Sequence, residues 1–279
     1  MIAGMRFAKG HGTGNDFVLL PDAPELTPHL VAALCDRRRG IGGDGVLRVA
    51  RGRHADWFMD YWNSDGSYAE MCGNGVRVFA RYLVSAGLAT GPEIRIETRA
   101  GVVVAVVGED LISATMPTPR VYAQSTATVL GRSFPGTAVD VGNPHLVCAA
   151  DDLAAIDLTT VPGYDPRLFP AGVNVEFVVT DAEPVDGADR HVRMRVFERG
   201  SGETMSCGSG ACAVAAVALN GSPGVVAVDV PGGRLFVTLD GSGCRLAGPA
   251  VIVAEGTVSL PPHDEVGAPR PAGAQPVAR

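Results

Sequence analysis

Two cysteines, Cys72 and Cys207, each stand before a Gly-x-Gly turn that opens an apolar segment. The apolar residues that follow have helical spacing, so each cysteine is predicted at the N-terminus of a helix. Free backbone N–H groups and the helix dipole favour negative charge there. We therefore expect the pKa of each thiol to fall from about 8.5, which would make the thiolate available for chemistry.

The two cysteines lie at the ends of matching stretches of sequence. Residues 59–72 align without a gap with residues 194–207, so that Trp62 falls on Phe197 and Asn63 on Glu198. Further matches pair 14–15 with 142–143, 43–46 with 172–175, and the hairpin at 94–107 with the one at 225–239. The repeat therefore predicts two similar domains, 1–117 and 118–249, with a boundary near Pro117-Thr-Pro119.

Two thiols, one from each half, suit a reaction that inverts a carbon bearing hydrogen. A proton must leave one face of that carbon and return on the other, and one side chain can rarely reach both faces. A thiolate on one side and a thiol on the other meet this need as general base and general acid. Such a pair is expected at the junction of the two halves.

Polar side chains at matching places in both halves suit an amino-acid substrate. Glu198 and Arg199 offer one group for an ammonium and one for a carboxylate. Amide side chains that both donate and accept hydrogen bonds recur beside the glycines, at Asn15, Asn63, Asn74, Asn143 and Asn174. Asparagine next to glycine is also a common turn signal, and an isolated Glu-Arg pair is usually a surface feature. Their recurrence in both halves favours a binding role.

The composition excludes several classes of protein. The 279 residues are 46% hydrophobic and 19% charged with a net charge of −7, which predicts a folded protein without affinity for nucleic acid. Six cysteines without a Cys-x-x-Cys pair predict neither a disulfide framework nor a zinc ribbon. Neither a signal peptide nor an apolar run of membrane length is recognised, so a cytoplasmic location without a membrane partner is expected. No lysine or ligand spacing indicates pyridoxal phosphate or a metal, so no cofactor is expected.

Taken together, the motifs resemble those of the diaminopimelate epimerases, cofactor-independent enzymes of lysine and peptidoglycan-precursor synthesis. The matching stretches are 11–17, 36–45, 63–67, 70–75, 142–145, 172–175, 198–204 and 207–210, in family order. The resemblance implies L,L-diaminopimelate and its meso form as substrate and product. It also implies an α+β fold of two pseudo-symmetric domains, each a mixed sheet or barrel around a central helix. The active site would lie in the cleft between them, and the last strand, about 250–260, would return to the first domain.

The resemblance also assigns residue roles. Cys72 and Cys207 become the catalytic acid/base pair, with His145 and Glu198 tuning their pKa values. Substrate contacts are implied at Asn15, Asn63, Gly73, Asn74, Asn143, Asn174, Glu198, Arg199, Gly208 and Ser209. Gly45 stands where some relatives have Gln, which removes one polar contact, and Ser209 replaces a threonine but keeps the hydroxyl.

Other interpretations stay open. A proline-racemase-like or other isomerase on the same fold would use a related cysteine pair. A cysteine hydrolase with Cys207 as nucleophile and His145 as base leaves Cys72 and the duplication unexplained. The oligomeric state is open, with a homodimer as one alternative. The stretch 261–279, rich in proline, alanine and glycine, is predicted to be a disordered tail.

Overall fold

The computed structural model describes residues 2–180 and 183–260. The predicted tail, 261–279, lies outside the described residues. In the part of the chain that is described, no helix is long and apolar enough to cross a membrane.

The described residues form three helices and one continuous sheet of 17 strands. In the first half these elements are β1 (Ile2–Gly12), β2 (Asn15–Leu20), α1 (Pro28–Cys35), β3 (Gly45–Arg51), β4 (Trp57–Asn63), α2 (Gly73–Ser85), β5 (Glu93–Thr98), β6 (Gly101–Val107) and β7 (Ile112–Met116). The second half contains β8 (Arg120–Val129), β9 (Arg132–Asp140), β10 (Pro144–Ala149), β11 (Asn174–Thr180), β12 (Arg190–Glu198), β13 (Gly202–Thr204), α3 (Gly208–Leu219), β14 (Gly224–Val230), β15 (Gly233–Asp240) and β16 (Gly243–Gly248). The last strand is β17 (Val251–Leu260).

The strands pair in the same order in both halves. The first half runs β17-β1-β2-β3-β4-β5-β6-β7 and the second β8-β9-β10-β11-β12-β14-β15-β16. The direction of each pairing also repeats, as in the parallel pairs β2–β3 and β10–β11. β7 and β16 then pair antiparallel and join the halves. The α+β class, a mixed sheet around a helix in each half, is confirmed; the domain boundary at residue 117 stays a prediction.

The strands β17 and β8 are equivalent in the repeat. β17 pairs with β1 in the first half, and β8 pairs with β9 in the second. Ile2 is the partner of Leu260 at one end of this ladder, and His11 is the partner of Val251 at the other. The first half is therefore built from the two ends of the described chain, and the second half is inserted between β7 and β17.

The central helix of each half is held by burial. In α2, Val76, Phe79, Ala80 and Leu83 are fully buried in the first core, and the helix ends before Gly87, whose φ is +67°. Glycine adopts this left-handed conformation without steric cost.

The helix α3 is apolar on all sides and packs into the second core. A helix that is hydrophobic all round needs such enclosure. It ends at Leu219, and the next two residues, Asn220 with φ 48° and Gly221 with φ 80°, adopt the left-handed conformation that commonly follows a helix.

The helix α1 has only eight residues, and local hydrogen bonds define both of its ends. It begins at Pro28, where the hydroxyl of Thr27 accepts a hydrogen bond from the Leu30 N–H, and it ends at Cys35. Asp36 turns to extended backbone, and its carboxylate accepts hydrogen bonds from the backbone amides of Arg38 and Arg39. A carboxylate that binds backbone N–H groups in this way competes with the helix and ends it.

Candidate active site

Each of the two cysteines caps the central helix of its half. Cys72 precedes α2 and Cys207 precedes α3, both with extended backbone. Each Sγ accepts a hydrogen bond of 3.4 Å from the amide three residues on, that of Gly75 or Gly210. The predicted helix N-termini are therefore confirmed, and each thiol sits at the positive end of a helix dipole.

The two N-termini approach each other across the junction of the halves. A Cβ on either Gly73 or Gly208 would lie 2.9 Å from the same Leu246 methyl group. A Cβ on Gly208 would also lie 3.7 Å from the backbone nitrogen of Asn74. A Cβ at either glycine would have to displace the end of the Leu246 side chain, so glycine eases the close approach. The first turns of α2 and α3 therefore lie close together.

A hydrogen-bond network joins the halves beside the thiols. The side-chain Nδ2 of Asn74 donates to Asn15 Oδ1 at 3.2 Å and to the Ser206 carbonyl at 3.2 Å. The hydroxyls of Thr13 and Ser206 lie 2.6 Å apart, and the Cys72 thiol lies 3.6 Å from Asn15 Oδ1. The sequence analysis missed Thr13 and Ser206, although both neighbour residues that it identified.

The amide of Asn15 is oriented by a charged group. Its Nδ2 donates to Asp44 Oδ2 at 2.8 Å. Because a carboxylate can only accept hydrogen bonds, the amide nitrogen must point to Asp44, and the amide oxygen Oδ1 faces Cys72. Asp44 is held in turn by Arg37 at 2.8 Å, and Arg37 also contacts Asp16 at 2.7 Å. Arg37 thus links the carboxylates of Asp16 and Asp44 beside this end of the site.

Glu198 belongs to the site of the second cysteine. Its carboxylate accepts a hydrogen bond from the Thr204 hydroxyl. Burial raises the pKa of Glu198, while interactions with Thr204 and Cys207 lower it. The Ser209 hydroxyl lies 3.6 Å from Cys207 Sγ.

A buried histidine–glutamate pair, which the sequence analysis only half identified, stands behind Cys207. His145 Nδ1 lies 2.7 Å from Glu176 Oε1, and its Nε2 lies 3.0 Å from Asn143 Oδ1. Both His145 and Glu176 are fully buried, and burial raises the pKa of the Glu176 carboxyl. The available signal for Glu176 was one carboxylate inside the apolar strand run 175–179.

The equivalent pair in the first half is apolar. Phe17 aligns with His145 and Leu47 with Glu176, and both pack within 3.6 Å of where a Gly75 Cβ would lie. At the corresponding place, a Gly210 Cβ would lie 2.7 Å from Glu176 Oε1. The surroundings of the two thiols therefore differ although the backbone repeats.

The remaining predicted residues are held by hydrogen bonds in the turns around them. Asn174 Oδ1 accepts a hydrogen bond of 2.9 Å from the Arg199 amide, which fixes the turn after β12. The Arg199 side chain is exposed and donates to the Ala171 carbonyl at 2.8 Å. Asn63 donates to Ser67 at 2.9 Å within its own turn.

The expectation that both thiol pKa values are lowered is wrong for this structure. Burial raises the pKa of Cys72 to about 11 and that of Cys207 well above its ordinary value. For Cys207 the next causes are the charges of Glu198 and Glu176. The helix N–H groups do lower both values, but desolvation of a thiolate outweighs them. Within the described residues, no group of three His, Cys, Asp or Glu side chains could hold a metal ion.

The fold is shared with solved structures of low sequence identity. A phenazine biosynthesis protein of the PhzF family from Bacillus anthracis superposes with a TM-score of 0.68 at 17% identity, covering 93% of this chain and 100% of that one. A probable proline racemase from Agrobacterium radiobacter gives 0.65 at 18% identity, covering 94% of each chain. At these identities the likeness establishes the fold alone.

The sequence comparison is more specific. The family described as Diaminopimelate epimerase matches residues 7–120 and 137–260. A diaminopimelate epimerase from Mycolicibacterium smegmatis is 50% identical over 93% of this chain and 98% of its own length. The chain therefore belongs to the diaminopimelate epimerase family, which is a family of isomerases.

Proposed function

We propose that the protein interconverts L,L- and meso-2,6-diaminopimelate, a step of lysine and peptidoglycan-precursor synthesis, with Cys72 and Cys207 as the acid/base pair. The observation that carries this proposal is the placement of two thiols at facing helix N-termini, one from each half. One thiolate removes the α-proton, and the other thiol returns a proton on the opposite face. In the reverse reaction the roles exchange.

The helix N-termini supply a binding place for the α-carboxylate. The first amides of a helix lack intrahelical partners, and together with the dipole they attract anions. The amides of Gly73, Asn74, Gly208 and Ser209 belong to two such first turns that meet. Binding a carboxylate there would place the α-carbon between the thiols and would help to stabilise the carbanion that forms.

Through Glu198, binding of the substrate would change the pKa of Cys207. Its negative charge raises the pKa of that thiol, and burial leaves the carboxylate poorly solvated. A substrate ammonium bound to Glu198 would offset the charge and so lower the pKa of Cys207. The thiolate would then form chiefly when substrate is present, which keeps a reactive group neutral in the free enzyme.

The alternative with some structural support is a proline-racemase-like isomerase, because the fold superposes on a probable proline racemase. The two proposals differ in substrate. Diaminopimelate has a second amino-acid end, for which Asn63, Asn174 and Arg199 are the proposed contacts, whereas proline has none. Because the Arg199 side chain is exposed, a substrate without the distal carboxylate would leave no buried charge unpaired, and lysine is therefore tested beside diaminopimelate.

The test is incubation with L,L-diaminopimelate in D2O, following product stereochemistry and α-deuterium. Cys72→Ala and Cys207→Ala should each abolish epimerisation while calorimetry still detects binding. The double variant should be hardly worse than either single, because the residues act as one unit. Turnover of proline in place of diaminopimelate would support the racemase, and near-normal turnover by either folded single variant would end the two-base proposal.

A further inference from the structure

The side chain of Arg77, in the second turn of α2, is fully buried among neutral partners. Its Nη1 donates to the Gly73 carbonyl at 3.3 Å and its Nη2 to the Thr13 hydroxyl at 3.4 Å. Its Nε has no hydrogen-bond partner. Across residues 2–180 and 183–260, no carboxylate forms an ion pair with this guanidinium.

A buried guanidinium without a carboxylate is costly. Arginine stays charged in proteins, and removing an unpaired charge from water costs several kcal/mol. Burial accordingly lowers the pKa of Arg77 to about 10, while the neighbouring thiols of Cys72 and Cys212 act to raise it. These thiols are the groups around Arg77 that can become negative.

The backbone makes room for this side chain at the junction of the halves. A Cβ on Gly12 would lie 3.0 Å from Arg77 Nη2, and a Cβ on Gly248 would lie 3.3 Å from the same atom. Gly12 ends β1 and Gly248 ends β16. The guanidinium is therefore enclosed beside the first turn of α2, the turn that Cys72 caps.

The second half has no counterpart to this charge. Cys212 aligns with Arg77, so α3 carries a neutral side chain at that position. The charges that act on Cys207 are instead the carboxylates of Glu198 and Glu176. A cation favours a nearby thiolate, and a carboxylate disfavours it.

We infer that Arg77 is a positioning residue that supplies the counter-charge for a thiolate on Cys72, so that Cys72 ionises first in the free enzyme and Cys207 keeps its proton. The other ionisable groups that act on Cys72 are Glu198 and Tyr61, from β12 and β4. The repeat gives the two thiols equivalent backbone positions; Arg77 favours the thiolate of Cys72, while Glu198 and Glu176 oppose that of Cys207. The inference deepens the proposed two-cysteine mechanism and rests on it for its catalytic meaning.

The test follows alkylation of each cysteine by iodoacetamide as a function of pH, without substrate, by peptide mass spectrometry. In the unmodified protein, the midpoint for Cys72 should lie below that for Cys207. Arg77→Met should slow alkylation of Cys72 about tenfold at neutral pH, which corresponds to one pKa unit. The Cys207 profile should stay in place, and Arg77→Lys should restore most of the Cys72 reactivity.

Arg81→Met is the matched control. Arg81 lies one turn further along α2, and its guanidinium also bonds to carbonyl oxygens, those of Ala250 and Glu109. This variant should leave both profiles unchanged. An unshifted Cys72 profile in folded Arg77→Met would overturn the inference, as would Cys207 ionising first in the unmodified protein. That order of midpoints decides the question if Arg77→Met does not fold. Because alkylation needs no substrate, failure to epimerise diaminopimelate would be a separate result.

Discussion

Cys72 and Cys207 occupy equivalent caps, yet burial holds both thiols neutral near pH 7. A group whose pKa is raised ionises at higher pH than usual. With the pKa of Cys72 at about 11, the thiolate fraction should grow about tenfold per pH unit. We therefore expect kcat/KM for L,L-diaminopimelate to rise steadily between about pH 7 and 9. Initial rates of deuterium incorporation measure this, and a rate that falls over the range would contradict it.

His145 and Glu176 depend on each other, and the first half offers their apolar replacements. His145→Phe leaves the buried Glu176 carboxylate unpaired and should cost about 3–5 kcal/mol of the free energy of unfolding. Glu176→Leu leaves one histidine nitrogen without a partner and should cost about 1–3 kcal/mol. The double variant copies Phe17 and Leu47 and should recover most of this stability.

Urea unfolding of both singles and the double measures the coupling between these residues. Turnover should stay low in the double variant, because the group proposed to tune Cys207 is gone. Costs that simply add would show that the two side chains do not interact.

At the scale of elements, the first turns of α2 and α3 differ in how much room they leave. A Cβ on Gly210 would lie 2.7 Å from Glu176 Oε1 and 3.3 Å from Cys207 Sγ. A Cβ on Gly75 would meet nothing nearer than 3.5 Å. Gly210→Ala should therefore destabilise the fold by about 1–3 kcal/mol through overpacking and should impair turnover.

The matched variant is Gly75→Ala, at the equivalent position. It should be tolerated, because alanine favours a helix by up to about 1 kcal/mol over glycine and finds ordinary contacts here. Thermal unfolding and kcat of both variants check the pair. Equal losses of stability in the two variants would show that the difference in space around Gly75 and Gly210 does not affect the free energy of unfolding.

The elements that sequence could predict are those with a local signal. Helical spacing and stop residues located α2 and α3, and turn residues located the hairpins of β5–β6 and β14–β15. The raised pKa of Cys207 had no such signal, because burial and two carboxylates from other strands produce it. Glu176 and Arg77 were missed for the same reason: each was one charged residue in an apolar segment, and only the fold shows its neighbours.

At the scale of the whole molecule, the thiols belong to two halves joined through β7 and β16. A modest movement of the halves could bring the cysteines within the Cα separation of about 7 Å that a disulfide needs. We expect oxidation to inactivate the enzyme through a Cys72–Cys207 disulfide and reductant to restore activity. Peptide mapping of the inactive form measures this, with Cys72→Ala as the control that cannot form the bond. Both cysteines found free in inactive protein would contradict it.

The pairing of β1 with β17 has a consequence for synthesis on the ribosome. β1 emerges first, but the strand that covers its outer edge ends at Leu260. At a synthesis rate of about 5–20 residues per second, the edge of β1 stays unpaired for on the order of 10–50 s until β17 is made. An uncovered strand edge is a template for pairing with another chain. During that time the edge of β1 is open to pairing with another chain, so the nascent first half is exposed to aggregation.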